Sequence, residues 1–532
     1  MLAICFWTRH IRINFPELVQ TKSIYIPMKK NAIQLSLIIG LLFSMGFSSA
    51  QERLEKPRTI VTTDGEIDDV DSFIRMLLYA NEFQIEGLVY SSSMWHYKGD
   101  GKGTKFVSEM EMTKEMYGEK TDLRWPGTEW MQDLIAAYGM VYPQLSTHAE
   151  GFPTADYLLS LVKVGNIDFE GAMEKDTEGS DFIKQKLLDD TTQSIYLQVW
   201  GGTNTIARAL KSIEDEFKNT PQWNLVSKKV SAKAILFTIM DQDATYKNYI
   251  EKAWPDIKVY YNSQQFWALA YNWKKTIPKA WHQYLEGGFM GEHIINDHGP
   301  LTKMYYSYGD GQKQEGDDEH IHGDPTKLEN AQWGTFGKYD FISEGDSPAF
   351  LHLIDVGLDN LEHPDYGGWG GRLKQSKTNA SRWEDGTEVA EYNSFIQKMD
   401  NAYPQTRWIE DLQLDFAARA DWCVKAYEEA NHAPEVALDH PGEIIVKPGE
   451  SIPLRAKASD PDGDKLNYQW WQYKEVGSYK GDIAISNADT LYAVVNIPSS
   501  IKTDETIHVI LEVNDTTFPY MTRYQRVVLK AE

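Results

Sequence analysis

Cysteine is nearly absent from this chain of 532 residues: there are two, and Cys5 falls in a leading stretch expected to lie outside the mature protein. Cys423 is then alone, which excludes an internal disulfide and leaves a large core or a bound metal to hold the fold. Cys423 sits in a helical pattern with Phe416, Ala420, Val424 and Tyr427, so buried packing is its expected role. Basic charge is also in short supply. Lys and Arg number 53 against 78 Asp and Glu, a net charge of −25, which argues against a nucleic-acid polymer as partner because phosphate binding wants a basic face. Past residue 50 no apolar run is long enough to cross a bilayer.

What is present points to a large exported protein. Hydrophobic residues make up 42% and aromatics 12% of the chain, enough for more than one domain. Met28-Lys29-Lys30, the apolar stretch from Ala32 to Phe47 and Ser48-Ser49-Ala50 before Gln51 have the order of a signal peptide. Residues 28–50 are read as that signal, residues 1–27 as a mis-assigned start, and the mature protein as secreted or periplasmic. No cysteine stands near the cleavage site, which argues against lipid attachment there.

The chain is organised around Thr59-Ile-Val-Thr-Thr-Asp-Gly-Glu-Ile-Asp-Asp-Val-Asp-Ser-Phe73. A β-branched run stops at Asp64-Gly65 and a helix-period segment begins after Asp68-Asp69. Five carboxylates, Asp64, Glu66, Asp68, Asp69 and Asp71, crowd one strand-to-helix turn. Helix capping explains one or two of them. An oxygen site for a hard cation explains the set better, because like charges this close repel without compensation.

From Arg58 to about Phe416, apolar runs alternate with helix-period segments. Ile85–Tyr90, Ile195–Val199, Ala234–Ile239 and Ile257–Tyr261 read as further strands, ending respectively in Ser91-Ser-Ser93, Trp200-Gly-Gly-Thr-Asn204, Asp241-Gln-Asp243 and Asn262-Ser263. Ile206, Leu210, Ile213 and Phe217 form one helical stripe. Strand, polar loop and helix in repetition predict an α/β fold with a mostly parallel open sheet and helices on both faces, with working groups at the carboxyl ends of strands. The polar stretch 309–325, with Asp317-Asp-Glu-His320-Ile-His322, fits a solvated loop or a lid better than a metal site. Asp346, next to Pro348, suits either a site or a helix cap. The glycines around Trp369 suit a stacking platform or a structural turn. Beyond Asn431-His-Ala-Pro434, short alternating runs predict a β-sandwich over 432–532, after an α/β domain over 56–430. Trp470 and Trp471 should face opposite ways. Asp460-Pro-Asp-Gly-Asp464 reads as a turn of at most weak Ca²⁺ affinity, since it lacks the full EF-hand pattern.

Asp64-Gly-Glu-Ile-Asp68-Asp69 resembles the N-terminal aspartate signature of nucleoside hydrolases. The longer stretch from Thr62 to His96 resembles a secreted nucleoside-hydrolase-like branch often labelled as cellulose-binding proteins, in which an immunoglobulin-like sandwich is a frequent companion. The resemblance implies a Ca²⁺ cofactor held by Asp64, Asp69, Asp346 and the Trp200 main chain. It implies Asp64 as the base that activates the attacking water, and Asp68 as the grip on vicinal sugar hydroxyls. The implied activity is hydrolysis of N-glycosyl, ribosyl-type bonds. The alternative is a non-catalytic carbohydrate binder of cellulose or another polysaccharide that uses the same cleft and the sandwich. Either way the partner is a small-molecule or glycan substrate. Asn204, Asn296 and Trp369 are further candidates for substrate contact, and His298 for leaving-group acid. Three departures stand out: Thr62 and Glu66 in the signature, Ser91-Ser-Ser-Met94 where an asparagine is common, and Gly345 where many members carry a histidine. The metal and sugar half of the site is kept and the base-recognition half is changed.

Overall fold

The computed structural model describes residues 56–532, and the expected signal peptide and alternative start lie outside them. Its centre is an eight-stranded sheet. The strands are β1 (Arg58–Thr63), β2 (Gln84–Tyr90), β3 (Val162–Val164), β4 (Ile195–Val199), β5 (Ala234–Ile239), β6 (Lys258–Asn262), β7 (Lys374–Gln375) and β8 (Arg382–Glu384). Their spatial order is β3-β2-β1-β4-β5-β6-β8-β7. Every pairing is parallel except that of the edge strand β7 with β8. β1, β4 and β5 are buried along their whole length, as strands covered on both faces must be.

Helices α1 (Ile67–Leu78), α2 (Trp130–Leu145), α3 (Asn204–Phe217), α4 (Ser347–Leu351) and α5 (Ile409–Asp421) matter most for the site. In α1 the stripe Ile67, Val70, Phe73, Ile74, Leu77 and Leu78 is buried in a core with Phe350 and Phe416. In α3, Ile206, Leu210 and Ile213 pack on the other face with Leu197 and Leu236. The sheet thus separates two apolar layers. The sequence missed β3, β7 and β8, whose two or three residues are all at least partly exposed and carry no apolar run.

The C-terminal region holds two four-stranded sheets. Strands β9 (Glu435–Leu438), β11 (Ser451–Ser459), β14 (Tyr492–Asn496) and β13 (Ala484–Ser486) form one; β10 (Glu443–Val446), β16 (Thr522–Ala531), β15 (Thr506–Asn514) and β12 (Asn467–Gln472) form the other. Their pairings are antiparallel apart from β10 with β16. The inner faces share Leu454, Trp470, Val495, Val509, Leu511 and Val527. Trp470 is core, as alternation predicts, but Trp471 is half-buried against Trp408 of the main body and its own neighbour Tyr473.

Contact between the regions is broad. Tyr473, Ile510, Met521 and Tyr524 belong to the same apolar cluster as α1 and α5. Asp415 of α5 accepts from Arg523 at 2.9 Å and from Tyr79 at 2.8 Å, while Asp411 accepts from Thr522 at 3.0 Å and from the Tyr524 hydroxyl. Gly357 runs so close to the Tyr524 carbonyl that a Cβ there would lie 1.8 Å from it. Residues 56–532 form one compact unit.

Candidate active site

β1, β2, β4 and β5 end in register, with Thr62 opposite Val199, Thr63 opposite Tyr90 and Val199 opposite Thr238. The residues that follow these strands therefore meet along one edge, as in other open parallel sheets. Asp64 leaves β1 there, and Gly65 turns the chain at φ +82° into α1. A Cβ on Gly65 would fall 2.6 Å from Pro126 and 2.8 Å from the Trp130 ring, so the turn admits glycine on both counts.

Asp68 and Asp69 stand in the first turn of α1, whose N-terminal position, Glu66, makes no side-chain cap. Asp69 accepts a hydrogen bond from the Thr63 hydroxyl. Asp346 precedes α4 and likewise makes no cap bond, so its side chain is free of that role. Carboxylate oxygens of Asp68, Asp69 and Asp346 lie within 4.8 Å of one another. All three carboxyls are pushed well above 3.8, first by burial and then by their neighbours' charges: Glu66 and Asp64 on Asp68, Asp64 and Asp68 on Asp69, Asp69 and Asp68 on Asp346.

Asp346 is positioned from α1. Arg75, 1% exposed, donates to Glu344 at 2.5 and 2.9 Å and lies 3.8 Å from the centre of the Phe416 ring. Tyr305 at 2.5 Å and Ser347 at 2.7 Å complete the set around Glu344. Breaking such a buried pair costs about 3–5 kcal/mol, enough to fix the segment 344–346. Gly345, the residue between, approaches Asp68 so closely that a Cβ would lie 2.6 Å from its carboxylate oxygen. Asp68 occupies the space a side chain at 345 would need.

Asp64 is 1% exposed and neither carboxylate oxygen has a hydrogen-bond partner. Its charged neighbour is His96, with Nδ1 at 3.6 Å, while His96 Nε2 lies 3.8 Å from Asp317. Burial and Arg124 oppose the charge on His96, but Asp317 and Asp64 outweigh them and hold its pKa at about 9. Burial raises Asp64, yet the His96 imidazolium keeps it below the ordinary carboxylate value. Asp317 is fully buried, held by the Arg124 fork at 2.8 and 2.9 Å, and depressed by His96 and Arg124 against its burial. The stretch 309–325 keeps much of its length exposed, as a loop or lid should, and is docked on the body through this ion pair, with Glu319 and His322 in the cleft lining. Gln314 also donates to the Gly65 carbonyl at 2.6 Å, and His320 is buried with a pKa lowered, chiefly by burial, to about 3.

Next to these groups is a cleft of about 310 Å³, with Arg124 in its lining and Asp64, His96 and Asp317 outside it. Asp68, Asp69, Asp346 and Trp200 form part of its lining, and Trp95, Tyr117, Trp267, Tyr271, Trp333 and His322 make its walls. The Trp200 carbonyl already accepts from the Gln242 amide at 2.7 Å. The remaining candidates lie elsewhere. Asn204 is fully buried, its amide spent on Ser91, Ser92, Asn166 and Ala172 where α3 begins. His298 is held between the Asn296 carbonyl at 2.6 Å and Asp421 at 3.2 Å, and neither His298 nor Asn296 lines the cleft. Trp369 is 1% exposed and packs toward Arg523 of the C-terminal region, so it offers no stacking face to the cleft. The sequence missed His96 and Arg124, and named Asp317 only as part of a solvated loop or lid. His96, soon after the end of β2, carried the strand-end signal; the pairing of Arg124 with Asp317, 193 residues apart, carried none.

The donors present suit a hard divalent cation: they are all oxygen, of one sign, buried at Asp69 and Asp346 and half-buried at Asp68, and raised first by burial and then by mutual repulsion, with Asp64 oxygens beside them lacking partners.

Two family models match the chain: the nucleoside hydrolase-like domain of cellulose-binding Sde182 over residues 58–373, and the C-terminal domain of cellulose-binding protein Sde0182 over 451–531. No curated protein matches. Among solved structures, a nucleoside hydrolase-related hypothetical protein from Saccharophagus degradans associated with carbohydrate metabolism is 26% identical. It covers 90% of this chain and 100% of its own, with a TM-score of 0.65. Looser matches are a plant nucleoside hydrolase (9% identity, 69% of this chain and 99% of that one, TM-score 0.30) and the type III effector XopQ complexed with adenosine diphosphate ribose (11%, 74% and 100%, TM-score 0.34). The fold, the C-terminal sheets and the length of these matches agree: the chain belongs to the cellulose-binding Sde182 family, with its nucleoside hydrolase-like domain followed by the family's C-terminal domain.

Proposed function

We propose that the protein is a secreted, Ca²⁺-dependent hydrolase of N-glycosyl, ribosyl-type bonds. The observation that carries this reading is Asp64: a buried carboxylate, kept ionised by His96, with both oxygens unpartnered beside the Asp68, Asp69 and Asp346 group. A binding cleft has no need of an ionised acid stripped of every donor; a general base does. Asp69 and Asp346 would hold the cation with the Trp200 main chain, and Asp68 would share the cation and the sugar hydroxyls. Bound there, Ca²⁺ would orient a water and make it more acidic. Asp64 takes the proton from the attacking water, and the carboxylates around it stabilise positive charge developing at the anomeric carbon. The aromatic walls receive the leaving group. His322 in those walls has a pKa lowered, chiefly by burial, to about 4 and is neutral at pH 7, so it favours substrates whose leaving group departs without strong protonation.

The second reading is carbohydrate binding without turnover, favoured by the walls of Trp95, Trp267, Tyr271 and Trp333, which suit sugar rings. A panel of nucleosides and glycosides assayed with and without EDTA separates the two. Turnover lost with EDTA and restored by Ca²⁺ supports hydrolysis; glycan affinity with no turnover across the panel overturns it.

A further inference from the structure

The walls of the cleft hold an arrangement that the cation and its water do not use. Two tyrosines in the lining each donate a hydroxyl to a carboxylate there, Tyr271 to Glu66 at 2.9 Å and Tyr117 to Glu319 at 2.8 Å. Arg124 lies beside both acids, 4.0 Å from Glu66 and 3.8 Å from Glu319. Its fork is already filled by Asp317 at 2.8 and 2.9 Å. Among the described residues no other cation lies within 4.0 Å of either acid. The pair therefore keeps negative charge at the wall.

The rings offer flat faces beside that charge. Tyr271 stacks against His322 at 5.7 Å and against Trp333 at 6.2 Å between centroids, 28° and 20° from parallel. Trp95 meets Tyr117 edge to face at 6.5 Å. A phenol that donates to a carboxylate has a more electron-rich ring, and the face of an electron-rich ring attracts cations. None of these groups has a proton to give to a departing base. Both phenol protons are held by carboxylates, and His322, lowered by burial to about 4, is neutral at pH 7. Asp68, Asp69 and Asp346 belong to the metal in the reading above.

We propose that the substrate is a cationic N-glycoside, one whose leaving group is a pyridinium-type aromatic ring. This rests on the hydrolase reading and narrows it to a substrate class. A flat, positively charged ring gains both from the aromatic faces and from Glu66 and Glu319 beside them. When its C–N bond breaks, both electrons stay on the ring nitrogen, which was positive and departs neutral. The water oxygen bonds to the anomeric carbon and the water's proton passes to Asp64. Substrate and water give free sugar, a neutral pyridine and one proton, and no acid is needed. A neutral base would depart as an anion unless protonated, and these walls supply no proton for it.

The test uses the full mature chain with Ca²⁺ and three ribosides that differ only in the base: nicotinamide riboside, uridine and inosine. kcat/KM should be at least about 10²-fold higher for the pyridinium riboside, the smallest factor that a missing general acid forfeits. N-methylnicotinamide, a cation with no bond to hydrolyse, should bind about tenfold tighter than neutral nicotinamide in calorimetric titration. Glu66→Gln should remove most of that difference and leave nicotinamide binding as it was. Glutamine keeps an oxygen to accept from Tyr271, so the wall stays built. Uridine or inosine turned over as fast as nicotinamide riboside overturns the cationic class and leaves the hydrolase reading standing. No turnover of any riboside sinks both. Equal binding of the two probes, or a difference that survives Glu66→Gln, overturns the wall as a cation site whatever the turnover.

Discussion

At the scale of single residues, the cleft is a problem of like charges. Asp68, Asp69 and Asp346 titrate above their unfolded value of 3.8. Their contribution to stability is present below about pH 3.8 and is lost as pH rises through the raised values. Without divalent cation the melting temperature should therefore fall as pH rises above the ordinary carboxylate range. Ca²⁺ should restore it most at the upper end, by about 2.7 kcal/mol at a hundred times its dissociation constant. Calorimetry with EDTA and with Ca²⁺ checks both, and an identical pair of curves would sink the cation. Asp64→Asn keeps the shape and removes the base, so on a hydrolysed substrate kcat should fall about 10²–10⁴-fold with KM little changed. Much of this was legible in the sequence, because Asp64, Asp68 and Asp69 sit within one turn and repulsion can be read from spacing alone. The imidazolium that keeps Asp64 ionised was not, since its charge depends on Asp317, brought in by the fold from 221 residues further along the chain.

At the scale of elements, two segments hold the site from opposite sides. The stretch 344–346 brings Asp346 in with no room beside Asp68. Gly345→Ala must displace the Asp68 carboxylate, because a Cβ there would lie 2.6 Å from its oxygen. The expected result is weaker Ca²⁺ and substrate affinity in a folded protein, seen by calorimetric titration. An unchanged titration would mean Asp68 does not share in either. On the other side, Arg124 latches the 309–325 stretch through buried Asp317. Arg124→Ala removes both hydrogen bonds of the fork and leaves Asp317 only the His96 ring, at 3.8 Å, as a charged partner, a loss of up to about 3–5 kcal/mol, so the stretch should open and be cut first in limited proteolysis, with cleavage between residues 309 and 325. Composition pointed to a solvated loop there because Gly, Asp and His are common in loops. Much of it is exposed as expected; the docking by an arginine from a distant turn was not legible, because local composition holds no trace of such a partner. The helices and long strands were legible for the opposite reason: their burial follows periodicity, a local property.

At the scale of the whole molecule, the C-terminal sheets are built into the main core. Sequence texture places a change near Pro434, and the strands of the last region start at Glu435, yet Tyr473, Ile510, Met521 and Tyr524 pack with α1 and α5. A chain ending near Ala430 would expose that surface and leave Asp415 without Arg523, so it should be far less soluble than the full chain when expressed alone. Buried acids line the same contact. Glu512, raised to about 7 by burial and then by Asp411, contributes stability below its unfolded value of 4.5 that is lost as pH rises through 7. Glu512→Gln keeps an acceptor for Trp471 and should raise the melting temperature at pH 8 by roughly 1–2 °C, with little change at pH 4; scanning calorimetry at the two pH values decides. The shared core also has a mechanical consequence. A module on a loose tether lets its catalytic partner sweep the surface to which it is anchored, whereas here the last hundred or so residues act as a keel. If they grip an insoluble fibre, the cleft meets that fibre at one fixed height and heading, and only chains presented at that angle enter it.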